Sequence, residues 1–306
     1  MSTDAVFAYD FVHLSHTIRE LILRGLSLFP SGSLQLLDTQ GADLKGKHRA
    51  DEQVYGALAQ FFAAHQLPAN IYIESGPPLL CGAEAEFCIF IDPVDGSVNR
   101  DLGVGDPGIV IAYATGSAPQ FQDIFGGYVY GLRSHDTYYA TGGRSYYRPH
   151  DAAHAVEIFC DRRVTRLQDA ILYYNDGYGQ ACARHAFQKA GMLSLLAKHH
   201  NGFDNAGVEI CQLCRGAAHL RVEARAHPTE GGMQGSDHAN MLAAFAIGKG
   251  AGVLVTDLQG KSFAQSPIEV DRVQDFICVS NEKLLHETLT ILARNQELLR
   301  ELLLPE

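Results

Sequence analysis

Residues 91–100 read IDPVDGSVNR and directly follow the apolar run FCIF. Two aspartates, Asp92 and Asp95, stand three positions apart in this stretch, one before a proline and the other before a glycine. Asp-Pro followed by Asp-Gly is ordinary turn chemistry, so a plain turn is one interpretation. The other is a site, because two carboxylates and a backbone carbonyl from one turn are the oxygen ligands that hard cations prefer.

The residues around the two aspartates are those of a tight, conformationally restricted turn that could also form a binding site. The strand predicted over the apolar run delivers Asp92 at its C-terminal end, where sites tend to be built. Pro93 fixes one backbone angle, and Gly96 permits a tight turn. Ser97 and the amides after Gly96 can open a helix, and the unpaired N–H groups at a helix start can hold phosphate.

Three further acids stand at comparable positions elsewhere in the chain. Glu74 ends the predicted strand NIYIES, Asp237 precedes an apolar helix, and Asp51 lies near the start of a predicted helix. Carboxylates gathered in one cleft repel one another unless divalent cations are present. The formal net charge of −11 is therefore compatible with Mg²⁺ chemistry.

This ordered set resembles the inositol monophosphatase family, the magnesium-dependent, lithium-sensitive phosphomonoesterases that also include fructose bisphosphatases and nucleotide 3′-phosphatases. The family pattern is an Asp near a helix start, a Gly-Glu-Glu strand end, Asp-Pro-Ile/Leu-Asp-Gly-Thr, and Trp-Asp-x-Ala before an apolar helix. The matching elements here, in the same order, are Asp51, Glu74, residues 92–97 and residues 236–239. The likeness spans most of the chain, from ADEQV to GVLVTD.

The resemblance implies a function for each matched position. The groups that would ligate Mg²⁺ are Glu74, Asp92, the Val94 carbonyl, Asp95 and Asp237. Asp51 and Ser97 would orient the attacking water, and the amides of Gly96 and Ser97 would hold the phosphate. Glu223 and Glu209 fall where the substrate-facing segments of the family lie; the alternatives are an exposed strand end for Glu223 and a solvated helix face for Glu209.

The chain departs from the family pattern at three points. Ser97 stands where threonine is usual, which keeps the hydroxyl. Ser75 stands where a second glutamate is common, which removes a carboxylate, and the Trp before Asp237 is missing.

The activity that the resemblance implies is Mg²⁺-dependent hydrolysis of a small phosphate monoester by metal-activated water. An inositol monophosphate, a sugar phosphate and a nucleotide 3′-phosphate all stay open as substrates. An aspartyl nucleophile in an Asp-x-Asp-x-Thr loop is disfavoured, because the spacing here is Asp-x-x-Asp. The alternative of a different class is a non-catalytic, phospholigand-binding member of the same fold.

The pattern of predicted elements indicates an α+β protein, a layered α/β sandwich of the inositol monophosphatase/fructose bisphosphatase type. Residues 1–150 read as helices followed by successive strands, an antiparallel sheet that helices cover on one face and that carries most of the metal ligands. Residues 151–306 alternate between strands and helices, which indicates βαβ units that complete the site. Helices are predicted from residue 7 to near Pro30 and over residues 50–65, 180–199, 205–215 and 237–249, with a long terminal helix capped by Asn281.

Composition narrows the function classes further. With 46% hydrophobic residues the chain is globular, and no apolar run is long enough to span a membrane. No Lys/Arg cluster stands out, so we expect neither nucleic acid nor a membrane as a partner. The N-terminus carries no basic region of a secretory signal, and seven scattered cysteines suit reduced thiols, so we expect a cytoplasmic protein.

The expected partners are a small phosphorylated substrate and, as in the family it resembles, a second copy in a homodimer. The Cys211/Cys214 pair is interpreted as part of a buried helix face.

Overall fold

The computed structural model describes residues 10–28, 45–74, 76–80, 84–175, 179–202, 205–229, 232–234 and 236–303. The helices within these residues are α1 Phe11–Ser27, α2 Lys45–His65, α3 Ser97–Leu102, α4 Gly179–Leu196, α5 Ala206–Cys214, α6 His238–Ala251 and α7 Glu282–Leu303. The strands are β1 Ala69–Ile73, β2 Phe87–Asp95, β3 Gly108–Thr115, β4 Ile124–Gly131, β5 Thr137–Thr141, β6 Arg144–Arg148, β7 Val156–Glu157, β8 Ile171–Tyr174, β9 His199–Asn201, β10 Leu220–Glu223, β11 His227–Thr229, β12 Gly232–Gln234, β13 Leu254–Thr256 and β14 Phe276–Val279.

The first sheet contains β1 to β7 in chain order. β1 and β2 pair in parallel, and every later neighbour pairs antiparallel. Alternate β2 side chains enter two different cores: Ile89 and Ile91 pack with α1 and α2, whereas Cys88 and Phe90 pack with α5 and α6. Helices therefore cover both faces, and the prediction of a single covered face is wrong. Burial on both faces explains why β2 is apolar without alternation.

The second sheet has the order β13-β14-β10-β8-β9. β8, β9 and β10 run parallel, as βαβ units require, whereas β13 and β10 pair antiparallel with β14. Leucines and alanines of α4 and α7 pack on this sheet in a third core. The predicted alternation of strands and helices in this half of the chain is confirmed. A small hairpin, β11 and β12, stands apart from both sheets.

The boundaries of individual elements follow the predictions within a few residues, with two differences. α2 begins at Lys45, five residues earlier than expected, and β7 extends the first sheet beyond residue 150. The predicted cap of α7 is confirmed, because the Leu284 amide donates to Asn281 Oδ1 at 3.0 Å. The division into 1–150 and 151–306 stays a prediction.

The cysteines behave as the composition indicates. Those in the described residues are free and buried. Cys211 and Cys214 both lie in the core between α5, α6 and the first sheet, so the interpretation of a buried helix face is confirmed. Among the described helices, none combines the length and apolar character that crossing a membrane requires.

Candidate active site

The parallel pairing of β1 with β2 brings the first two acids together. Ile73 lies opposite Ile91 in the register, so Glu74 follows beside Asp92. The Glu74 amide donates to the Ile91 carbonyl at 2.9 Å, which continues the ladder by one step. Asp92 is fully buried, whereas Glu74 is half-buried.

A bulge in β2 separates Asp92 from Asp95. Asp92 pairs with Val110 and Asp95 with Gly108, so two residues of β2 stand against one residue of β3. The Val94 amide turns back and donates to Asp92 Oδ1 at 2.8 Å. Gly96 then takes φ of +81°, a left-handed conformation that favours glycine, and α3 starts at the next residue. The Asp-Pro-x-Asp-Gly stretch is therefore a turn at the end of a buried strand that a β-bulge, a hydrogen bond and a left-handed glycine hold in one conformation.

The Asp95 carboxylate is fixed by the first turn of α5. Its Oδ2 accepts a hydrogen bond from the Gly207 amide at 2.6 Å. A Cβ on Gly207 would lie 2.7 Å from Val110 Cγ2 and 3.0 Å from Asp95 Oδ2, so only glycine allows this approach.

Asp237 completes a group of four acids. It is the N-cap of α6, and its Oδ1 accepts from the Asn240 amide at 3.1 Å. The pKa of Asp92 is raised well above its ordinary value, first by burial and then by Glu74, Asp95 and Asp237. The strand register, the bulge in β2 and the contacts of Asn240 with Asp92 and Asp237 therefore place these four acids in one region of the structure.

The donor set has the chemistry that Mg²⁺ prefers, namely carboxylate oxygens at the end of a buried strand. Over the described ranges, no group of three or more His, Cys, Asp and Glu side chains is already arranged as a metal site. Backbone amides instead hold carboxylate oxygens of Asp92, Asp95 and Asp237. Because the buried acid at the centre is surrounded by other acids, the residues fit a divalent cation by charge and by donor type.

The structure describes the other predicted catalytic residues only in part. Ser97 is the first residue of α3 and is half-buried beside Gly96. Asp51 lies within α2, but its side chain is outside the described part, as is Ser75 altogether. The pairing of Asp51 with Ser97, and phosphate binding by the Gly96 and Ser97 amides, stay predictions.

Glu223 and Glu209 belong to a buried ion-pair network. Glu223 is fully buried and accepts from Arg225 Nε at 2.7 Å, Arg225 Nη2 at 2.6 Å and Ser236 Oγ at 2.7 Å. Glu209 accepts from Arg221 Nε at 3.0 Å. Burial would raise the pKa of Glu223, but Arg225, Arg221 and the Ser236 hydroxyl outweigh it and lower the pKa.

This placement corrects the two alternatives for these residues. Glu223 is not an exposed strand end and Glu209 is not on a solvated helix face, because the network with Arg221 and Arg225 excludes solvent from both carboxylates. Contact of either residue with substrate stays a prediction.

One amide beside the acids was not predicted from the sequence. The Asn240 side chain lies between Asp92 and Asp237. Asn240 follows Asp237 by three positions, a spacing that puts both on one side of a first helical turn. Arg221, Glu223 and Arg225 stand at every second position, a spacing that puts them on one face of an extended segment. Only the pairing of Arg221 with Glu209 of α5 carried no local signal.

Comparison with known proteins gives the class of fold first. No family model matches the chain. The structure is similar to an inositol monophosphatase from Zymomonas mobilis, with a TM-score of 0.68, 18% identity and coverage of 93% of this chain and 98% of the other. Inositol monophosphatase II from Staphylococcus aureus gives a TM-score of 0.67 at 14% identity, covering 95% and 96%. The chain therefore has the inositol monophosphatase fold, as predicted.

Two further comparisons add a ligand-bound structure and a sequence relative. A structure of SaIMPase-II bound to inositol monophosphate has a TM-score of 0.62 at 13% identity, covering 95% of this chain and 96% of the other. In sequence, the chain is 25% identical over 211 residues to a "Fructose-1,6-bisphosphatase/inositol-1-monophosphatase" of Archaeoglobus fulgidus, covering 68% of this chain and 71% of the relative. The predicted resemblance to the inositol monophosphatase family is confirmed, and the relatives are phosphatases.

Proposed function

We propose that the chain is a Mg²⁺-dependent phosphatase that hydrolyses a small phosphate monoester with an activated water. The observation that carries the proposal is the group of four acids around the fully buried Asp92, contributed by the ends of β1 and β2 and the start of α6. The phosphatase relatives support the reaction class. The SaIMPase-II complex supports a phosphorylated small molecule as the substrate.

The acidic residues would hold the cation. Glu74, Asp92 and Asp95 would supply carboxylate oxygens from the strand ends, with the Val94 carbonyl between them and Asp237 from α6. Bound Mg²⁺ would lower the pKa of a water and neutralise negative charge on the phosphate and the leaving oxygen. The Gly207 amide orients Asp95, so the start of α5 also helps to position this set.

The turn after the acids would bind and orient the reacting groups. Gly96 and Ser97 open α3, where their amides would hold the phosphoryl oxygens. The Ser97 hydroxyl, together with Asp51, would orient the attacking water and take part in moving its proton. Direct attack by water requires no covalent phosphoenzyme.

The test is a screen of phosphate monoesters for phosphate release. The panel contains inositol 1-phosphate, fructose 1,6-bisphosphate, a hexose monophosphate and a nucleotide 3′-phosphate, each with Mg²⁺ and with EDTA. We expect release from at least one substrate, abolished by EDTA and restored by Mg²⁺. Release that EDTA leaves unchanged contradicts the metal requirement. Binding of these ligands without any release supports the non-catalytic alternative.

The homodimer and the cytoplasmic location belong to the same proposal. The homodimer follows from the resemblance to the family, and the cytoplasmic location follows from the composition. Light scattering of the purified chain at several concentrations tests the dimer, and a mass near 33.4 kDa at all of them contradicts it.

A further inference from the structure

Two acids of the proposed metal site come from separate elements, and one neighbouring side chain contacts both of them. Asp92 ends the apolar part of β2, and Asp237 caps α6. One side chain, Asn240, reaches a carboxylate oxygen of each acid, so the two carboxylates lie close together. Two carboxylates in a buried site need donors or a cation between them.

Asn240 supplies such a donor. If its side-chain oxygen faced the acids, it would meet only other acceptors, so the amide is oriented with Nδ2 toward them. In this orientation Nδ2 donates to Asp92 Oδ2 at 2.8 Å and to Asp237 Oδ1 at 2.9 Å. A single nitrogen therefore bridges one oxygen from each acid.

We propose that the Asn240 amide and a divalent cation compete for the space between Asp92 and Asp237. The inference rests on the proposed function, because it takes both acids as metal ligands. The amide nitrogen occupies the space between two carboxylates that would both help to hold the cation, so the amide and the cation would exclude each other there. Binding of a cation there breaks two charge-assisted hydrogen bonds, and that loss weakens the apparent affinity.

The competition predicts that removal of the Asn240 amide strengthens cation binding, whereas most substitutions at a metal site weaken it. Removal of a metal ligand, or of a residue that merely supports the fold, weakens cation binding. Removal of a competing donor strengthens it, because the metal-free site loses its bridge and the cation no longer displaces anything. Hydrogen bonds to charged groups are strong enough that Asn240→Ala is expected to bind the cation about tenfold more tightly than the wild type.

The experiment measures binding of the metal alone. Mn²⁺, which prefers the same oxygen ligands as Mg²⁺, is titrated into the metal-free full chain without substrate, and free Mn²⁺ is followed by electron paramagnetic resonance. The wild type, Asn240→Ala and Asn240→Leu are compared at one pH and ionic strength. Leucine is a near-isostere without a donor, so it tests the same loss if alanine disturbs the helix start.

Asn281→Ala is the matched control. It removes the asparagine that caps α7 and donates to the Val164 carbonyl at 2.7 Å, so it lowers stability without touching the acids. Tighter Mn²⁺ binding by both Asn240 variants, with the control unchanged, supports the proposal. Weaker binding by both overturns it and assigns the Asn240 oxygen as a ligand.

The same titration separates this proposal from the proposed function. No Mn²⁺ binding by the wild type and variants overturns both the competition and the metal site. Tighter binding by the variants alongside a failed phosphate screen leaves the competition supported and the catalytic proposal contradicted.

Discussion

The neighbours of two fully buried carboxylates in this protein shift the pKa values of those groups in opposite directions. Glu223 has Arg225 and Arg221 against it, and its pKa is lowered despite its burial. Asp92 has burial, Glu74 and further acids acting on it, and its pKa is raised. The protein therefore compensates the charge of Glu223 internally, whereas the cluster around Asp92 calls for a cation from outside.

The contrast predicts the effect of Glu223→Gln on stability. The variant leaves Arg225 and Arg221 buried beside a neutral group, so it should be less stable than the wild type by about 3–5 kcal/mol at neutral pH. Urea unfolding measures this difference. The exposed pair Glu269–Arg272, 3.3 Å apart, gives the control Glu269→Gln, which should cost less than about 1 kcal/mol.

The difference in stability between the wild type and Glu223→Gln should become smaller at acidic pH. The lowered pKa means that ionised Glu223 stabilises the fold fully above its ordinary value of 4.5, and this contribution is lost as pH falls toward the pKa in the folded protein. The stability gap between wild type and Glu223→Gln should therefore narrow below pH about 4.5. A gap that stays constant down to acid unfolding would contradict the ion-pair assignment.

Ser97 carries the second prediction at the residue scale. We expect Ser97→Ala to lower kcat far more than it raises KM, because a hydroxyl that orients water is needed mainly in the transition state. Ser97→Thr keeps the hydroxyl and should be nearly silent, which makes it the matched control. Steady-state kinetics on the best substrate from the screen decides the point. An alanine effect confined to KM would assign Ser97 to phosphate binding alone.

At the scale of elements, the site depends on how α5 approaches the sheet. The amide of Gly207 in the first turn of α5 donates to Asp95, and the same helix carries Glu209 of the buried network. The network continues through Arg221 and Glu223 on β10 to Ser236, the residue before Asp237. One chain of contacts therefore supports acids on both sides of the proposed cation site.

Gly207→Ala tests the close approach of α5. The added Cβ would lie 2.7 Å from Val110, so α5 must shift, and we expect a loss of about 1–3 kcal/mol and weaker Mn²⁺ binding. Gly56→Ala within α2 is the control, because a Cβ there has nothing within 4 Å and should stabilise the helix by about 0.5–1 kcal/mol. Equal stability of Gly207→Ala and wild type would show that the approach is looser than described.

How much the sequence predicts differs between elements. The acids at strand ends were predictable, because a turn motif after an apolar run marks both the residue types and their position. The unbroken apolar run of β2 carried a signal of burial on both faces, but it could not show that α5 and α6, from the other half of the chain, cover the second face. The pairing of Glu209 with Arg221 depends on a tertiary contact between α5 and β10, which no local pattern encodes. Arg221 and Arg225 flank Glu223 at a spacing of two residues, which a strand places on one face.

At the scale of the whole molecule, the acids gather where the first sheet meets α5 and α6. The core on one face of that sheet holds α1 and α2, and the core on the other face holds α5 and α6, so Asp92 and Asp95 end a strand packed on both sides. Such a strand gives a carboxylate little freedom to move away from its neighbours. A rigid acidic cluster of this kind suits cation-dependent phosphate chemistry better than a structural turn does.

The most direct test of this account is Asp95→Asn, compared with wild type in Mg²⁺ titrations of phosphate release. Asparagine keeps an oxygen acceptor for the Gly207 amide but loses the charge, so the melting temperature should change little. We expect kcat to fall by about 10²–10³-fold, because charge stabilisation worth several kcal/mol is lost. Turnover near the wild-type level, with an unchanged Mg²⁺ requirement, would contradict the assignment of this acidic cluster as the catalytic metal site.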